Sequence, residues 1–187
     1  MGNSDELIKL IVNGNTNAFE HLYTTYKVQV YNTALGYVQN VEEAEEVAQD
    51  VFLKVHKSIA TFKGDASLST WIYRITINTA LNYIKKKKRR QIFSVFSAED
   101  DVPHFDHPGI ILENKEKADW LYKAIDTLPD RQKTAFILCH VEGLPQQEAT
   151  NIMEISLKAL ESLLQRAKAQ LRTKLEYFAI HQRKTKK

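Results

Sequence analysis

Residues 62–90 read Phe62-Lys63-Gly64-Asp65-Ala66-Ser67-Leu68-Ser69-Thr70-Trp71-Ile72-Tyr73-Arg74-Ile75-Thr76-Ile77-Asn78, then Thr79-Ala80-Leu81-Asn82-Tyr83-Ile84, and finish in the unbroken run Lys85-Lys86-Lys87-Lys88-Arg89-Arg90. Lys63 to Ser67 is a polar, glycine-containing loop, and Ser67 or Ser69 suits the N-cap of a helix. From about Thr70 that helix predicts an inward face of Tyr73, Ile77, Leu81 and Ile84. Trp71, Arg74, Asn78, Asn82 and Lys85 fall along another face. Core packing has no need of such a stripe. Phe62, Ser67, Ser69, Thr70 and Trp71 surround the loop, and six cations follow within thirty residues. Single-stranded nucleic acid is held by this chemistry, bases stacking on aromatics while cations track the backbone. The competing explanation makes Phe62 and Trp71 core residues and the basic run a solvated helix end.

Upstream, Phe19, Leu22, Tyr23, Tyr26, Val30, Ala34 and Val38 step by three and four and predict one face of a helix. Ala44, Val47, Ala48, Val51, Phe52, Val55 and Ile59 do the same for a second helix. Gln39-Asn40 is a short polar break between them, so the two predict an antiparallel hairpin. Opposite the second apolar face lie Glu42, Glu46, Gln49 and Asp50, continued by Leu53 and Lys54. A solvated face accounts for the acids, but an exposed Leu53 among them points to a protein docking site.

Downstream, from Gln91 to about Lys117, the periodicity fades. Ser94, Ser97, Glu99-Asp100-Asp101, Pro103 and Pro108-Gly109 read as an acidic linker. Trp120, Leu121, Ala124, Ile125 and Leu128 restore the helical period, broken at Leu128-Pro129. A helix from about Arg131 to Val141 follows, with Gly143 as its C-cap and Pro145 opening the next short helix. Glu154-Ile155-Ser156 forms a tight turn before a long helix beginning near Leu157. Leu157, Leu160, Leu164, Ala167, Leu171, Leu175 and Phe178 predict its buried stripe; Lys158, Glu161, Gln165, Lys168 and Arg172 lie opposite. Helix, three-residue turn and amphipathic helix is how a helix-turn-helix offers a recognition helix to the major groove. Plain bundle packing produces the same pattern.

The composition agrees with an all-α fold. Six Gly and four Pro in 187 residues disfavour a turn-rich β architecture, and 43% hydrophobic residues suffice for a core. We expect two small helical domains, 1–92 and 118–187, joined by a flexible linker at 93–117. Net charge is only +3, yet the basic run and the acids of 42–50 are segregated, which suits separate partners. Cys139 is the single cysteine, as in a reducing cytosol. Met1-Gly2-Asn3-Ser4-Asp5-Glu6 lacks the basic start and apolar run of a signal peptide. No apolar stretch approaches the ~20 residues that span a bilayer. A cytoplasmic protein is expected.

Enzyme chemistry finds little support. Phosphate-loop, dinucleotide, zinc-protease and C-x-x-C motifs are missing. His104-Phe105-Asp106-His107, near Asp100 and Asp101, resembles a metal cluster only in composition, since its spacing fits no standard site. Cys139, beside Phe136 and Leu138, reads as a core thiol. No catalytic, metal or cofactor-binding residue is assigned.

Gln49-Asp50-Val51-Phe52-Leu53-Lys54-Val55 and the Phe62–Asn78 stretch closely resemble region two of the extracytoplasmic-function (ECF) sigma factors of bacterial RNA polymerase. Leu128-Pro129 with Arg131, Glu142-Gly143, Glu148, Ile152, Ile155-Ser156 and Arg166-Ala167-Lys168 resemble region four of the same group. The likeness spans about residues 17 to 176, with no room for region one or a region-three domain. It implies a transcription initiation factor that binds core polymerase, directs it to promoters and melts them, with no small-molecule substrate. A stand-alone helix-turn-helix regulator acting as a dimer is the alternative; it leaves the acidic stripe and the Trp71 loop unexplained.

The resemblance also implies roles. Glu46, Gln49, Asp50, Leu53 and Lys54 would dock on the largest polymerase subunit. Phe62, Asp65, Ser67, Ser69 and Thr70 would capture a flipped base of the minus-ten element, Trp71, Arg74 and Asn78 would hold the melted strand, and Lys85, Lys86, Lys87, Lys88, Arg89 and Arg90 would grip phosphates. The acidic linker would thread toward the polymerase active site. Ser156, Lys158, Glu161, Ser162, Gln165, Arg166 and Lys168 would read the minus-thirty-five element. Three departures bear on that last set: Pro145 where Ser is usual, Ala149-Thr150 for Ile-Ala, and Ala159-Leu160-Glu161-Ser162-Leu163 for a Thr-Val-Lys-Ser-Arg type segment. Glu161 repels phosphate but accepts a hydrogen bond from cytosine N4. Implied partners are core RNA polymerase, through its largest and second-largest subunits, promoter DNA and, as an open candidate, a membrane-associated anti-sigma factor.

Overall fold

A computed structural model describes residues 3–93 and 115–185, with side chains over 5–91 and 120–177; among these residues there are helices and no strand. The chain divides into two compact units, Met1–Pro103 and His104–Lys187. Glu99-Asp100-Asp101, the His104 and His107 pair and the Phe178 side chain lie outside the described residues.

The first unit contains α1 (Asn3–Val12), α2 (Thr16–Val38), α3 (Val41–Ser58), a 3-10 turn (Ile59–Thr61) and α4 (Leu68–Phe93). The polar break between α2 and α3 is a two-residue corner. Gln39 takes a left-handed conformation (φ 58°) while its N–H donates to the Leu35 carbonyl. Asn40 is extended, and its side-chain oxygen accepts from the Glu43 N–H at 2.9 Å. One residue ends a helix and the next caps its successor, so the chain reverses at once. Helices α2, α3 and α4 pack against one another, and α1 lies on α2 and the 3-10 turn. Ala44, Val47, Val51 and Val55 of α3 are fully buried, as are Leu22, Val30 and Ala34 of α2 and Ile72 and Ala80 of α4. Each fully buried Val, Leu or Ile contributes roughly 1.5–3 kcal/mol, and this shared core holds the three helices.

Two differences from the sequence pattern stand out. Tyr23, predicted inward, is 44% exposed, whereas Tyr37, outside the predicted stripe, is 1% exposed. A strict three-four stripe drifts around a 23-residue helix, so the face that meets α3 and α4 at one end is not the face that meets them at the other. Helix α1 had no counterpart in the sequence reading; Ile11 is its buried anchor.

The second unit contains α5 (Lys115–Asp126), α6 (Asp130–Phe136), a π turn (Ile137–Val141), α7 (Gln146–Met153) and α8 (Leu157–Thr185), with α5, α6 and α7 all packed on α8. The helix expected to reach Val141 widens over its last turn, where the Glu142 N–H donates to the Ile137 carbonyl. Gly143 (φ 69°) then lets the chain turn away, a conformation that costs glycine nothing. Pro145 occupies the N-cap of α7, and Ser156 caps α8 by accepting from the Ala159 N–H at 3.3 Å. Leu160, Leu164, Ala167 and Leu171 are buried as the pattern predicts, and so is Leu163. Leu157 is not: at 45% exposure it lies in the first turn, and Leu160 is the first covered position. Lys133, only 3% exposed, donates to Asp126, so its burial does not leave an unpaired charge.

Candidate nucleic-acid interface

Ser67 starts the interface of the first unit. Its Oγ accepts from the Thr70 N–H at 3.1 Å and lies 2.9 Å from the Thr70 hydroxyl, making it the cap of α4. Thr70 is therefore turned inward, 5% exposed, and shapes the loop through Ser67. Ser69 is half-buried and donates to the Gln29 side-chain oxygen at 3.2 Å, tying the loop to α2. Asp65 is exposed. Phe62 and Trp71 are both half-buried, and their rings meet edge to face, centroids 5.4 Å apart at 62°. Neither of the two simple alternatives describes them: each ring packs on the other and keeps part of its surface in solvent.

Beyond the loop, α4 carries half-buried Arg74 and exposed Asn78, then Lys85 to Arg90, all exposed. Of the basic run, Lys86, Lys87 and Arg90 line a cleft against α3 of the same unit. Lys87 is ion-paired with Glu43, and Tyr83 donates to the Glu46 carboxylate at 2.9 Å. Burial first, then Glu46 and Glu43, pushes the Tyr83 phenol up to about 12, with Arg90 opposing.

The residues of the acidic stripe divide between two surfaces. Glu46, Asp50 and Lys54 line a charged cleft against α4, where Lys54 donates to the Thr79 hydroxyl at 3.0 Å. Gln49 and Leu53, the latter 58% exposed, line an open and mainly apolar groove between α2 and α3. Phe19, Tyr23, Val28, Phe52 and His56 are among the other residues that line it, with Phe19 against His56 and Tyr23 against Phe52 at 5.0 and 4.7 Å. The groove was not foreseen, because apolar residues at helical spacing were assigned to the core. Glu43, Thr79 and Tyr83 were likewise missed; the four-residue spacing of Thr79, Tyr83 and Lys87 was their signal.

In the second unit the turn Glu154-Ile155-Ser156 holds Glu154 in the left-handed region (φ 53°). It delivers α8 with Ser156, Lys158, Glu161, Ser162, Gln165, Arg166 and Lys168 all exposed. Arg166 donates to the Ser162 carbonyl at 3.1 Å and to its hydroxyl at 3.3 Å, so these two form one polar group on the outer face. Cys139 is half-buried, and burial raises its thiol pKa while Lys168 opposes the shift. No cluster of metal-ligating side chains occurs among the described residues, and no helix there is long and apolar enough to cross a membrane.

Comparison with known proteins accounts for both units. Residues 22–90 match the family model of Sigma-70 region 2, and residues 118–171 that of Sigma-70, region 4. The RNA polymerase sigma-H factor of Pseudomonas aeruginosa is 30% identical over 171 residues, covering 87% of this chain and 89% of that protein. The ECF RNA polymerase sigma-E factor of Haemophilus influenzae is 29% identical over 178 residues, or 91% and 94% of the two chains. The chain belongs to the sigma-70 family, in its ECF group. As a sigma factor it is an initiation factor that directs RNA polymerase to promoters, and the stand-alone dimeric regulator is not favoured. Family membership implies a non-catalytic transcription factor. Its fold is also that of two solved structures, each 20% identical. CnrH in complex with the cytosolic domain of CnrY covers 91% of this sigma factor and 96% of its own chain, TM-score 0.64. RpoE in complex with the anti-sigma factor NepR, from Bartonella quintana, covers 84% and 96%, TM-score 0.65.

Proposed function

We propose a division of labour in which 1–92 docks on core polymerase and handles the minus-ten element, 93–117 links, and 118–187 reads the minus-thirty-five element. The observation that carries it is the Phe62–Trp71 pair, partly open to solvent at the head of a helix bearing Arg74, Asn78 and the basic run. A base flipped from the minus-ten strand is taken up by the loop of Phe62, Asp65, Ser67 and Ser69, with Thr70 acting through the cap. Trp71, Arg74 and Asn78 hold the melted strand, and Lys85 to Arg90 meet its phosphates. In the second unit Ser156, Lys158, Glu161, Ser162, Gln165, Arg166 and Lys168 face duplex DNA.

Glu46, Gln49, Asp50, Leu53 and Lys54 dock on the largest polymerase subunit, an assignment supported by the exposure of Leu53 beside an open groove. The linker threads toward the polymerase active site. An anti-sigma factor, the partner in the RpoE structure, would find in the α2–α3 groove a surface suited to an amphipathic helix. The protein works in the cytoplasm, without a catalytic site of its own.

Docking is tested by Gln49→Lys with Asp50→Lys. Both side chains are exposed on α3, so circular dichroism should be unchanged while copurification with core polymerase is lost. Wild-type recovery of the double variant would reduce the acidic surface to a solvated face.

A further inference from the structure

Gln29 reaches the loop from α2. It falls at helical spacing between Leu22 and Thr33, both fully buried, so an apolar residue would suit the position. Its Oε1 accepts from the Ser69 hydroxyl at 3.2 Å, 40 residues along the chain. Its Nε2 is buried, and no group among the described residues accepts from it. A buried amide donor without a partner destabilises the folded chain, and methionine, of similar length, would remove it. Gln29 therefore serves the core poorly and serves Ser69. Breaches of a local rule of this kind concentrate at functional sites.

The two serines differ in reach. Ser67 caps α4 through Thr70, three residues on, which shapes the loop locally. The Ser69 bond to Gln29 is long-range and fixes the first turn of α4, where Trp71 also sits, against α2. A loop already held in its binding arrangement loses less freedom when a ligand arrives. We infer that Gln29 is a positioning residue for base capture: without meeting DNA, it holds the Ser69 hydroxyl and so keeps the loop and the first turn of α4 in the arrangement that accepts a flipped base. The inference rests on the reading of the Phe62–Thr70 loop as the site of capture.

Gln29→Met tests this, because folding and function should part company. The variant loses a buried unpaired donor, and the half-buried Ser69 hydroxyl turns to solvent. Its melting temperature by circular dichroism should stay level or rise by a few degrees. The probe is a premelted promoter, selected from a genomic pool by run-off transcription and bound by holoenzyme carrying the full chain. Each base of the melted minus-ten strand is replaced in turn by an abasic site, and the replacement that weakens the unaltered chain most marks the captured base. Gln29→Met should bind the intact probe about two- to tenfold more weakly and match the unaltered chain on that abasic probe. Ser69→Ala should show the same loss, the double variant no more than either single one, and Ser69→Thr, which keeps the hydroxyl, most of the binding. Undiminished binding by Gln29→Met, equal weakening on intact and abasic probes, additive losses, or a melting temperature that falls with the binding each overturns the positioning role. If no abasic site weakens the unaltered chain, base capture by the loop fails first, and the role of Gln29 falls with it.

Discussion

Replacing Trp71 with alanine separates a packing role from a role in DNA opening, and the structure sets the size of each. A fully buried tryptophan costs about 3–5 kcal/mol on truncation. Trp71 is half-buried with the Phe62 ring against it, and an aromatic pair adds about 0.5–1.5 kcal/mol to area burial. We therefore expect a loss of about 2–3 kcal/mol, which leaves a domain of ordinary stability, about 5–15 kcal/mol, folded at room temperature. Stacking of one unpaired base on an aromatic is worth about 1–3 kcal/mol, or roughly five- to a hundredfold in the open-complex population. Trp71→Ala should lower the melting temperature seen by circular dichroism and still form holoenzyme. Permanganate footprinting should show an unopened promoter, rescued by a premelted bubble, and Trp71→Phe should retain most of both functions. A variant folded at the assay temperature that a premelted template does not rescue would falsify the strand-holding role. Loss of every activity together, in step with the melting curve, would make Trp71 a packing residue only.

Asn40→Ala removes the cap that reverses the chain between α2 and α3; it should cost about 1 kcal/mol, read as a shifted urea midpoint with an unchanged slope, and no shift would mean that solvent satisfies the α3 terminus equally well. His140 sets a pH dependence. Burial, and secondarily Lys168, lowers its pKa below the ordinary 6.5, so as pH falls through that value the unfolded chain takes up a proton that the folded one resists. The histidine's contribution is thus present above about pH 6.5 and lost in acid, and His140→Gln should narrow the fall in melting temperature between about pH 8 and about pH 5. An identical fall in both proteins would assign the acid sensitivity to other groups.

Local rules reached as far as the period of each helix and the residues at its ends. Gln39-Asn40, Ser67 and Ser156 act on their immediate neighbours, so a corner, a cap at Ser67 and a turn ending at Ser156 were legible from the chain alone; that Ser156 also caps α8 came from the structure. The order of helices and the separation into two helical units followed from the same local signals, and the Phe62–Asn78 stretch carried the family. The packed structure decided which edge of each apolar stripe is covered, since that depends on the neighbour and not on the helix. Tyr23, although its ring meets Phe52, and Leu157 are apolar at helical spacing yet 44% and 45% exposed, while Leu163 is covered. Charge partners were equally hidden. Glu43 and Lys87 are 44 residues apart, and only the packing of α3 on α4 makes one the counter-ion of the other.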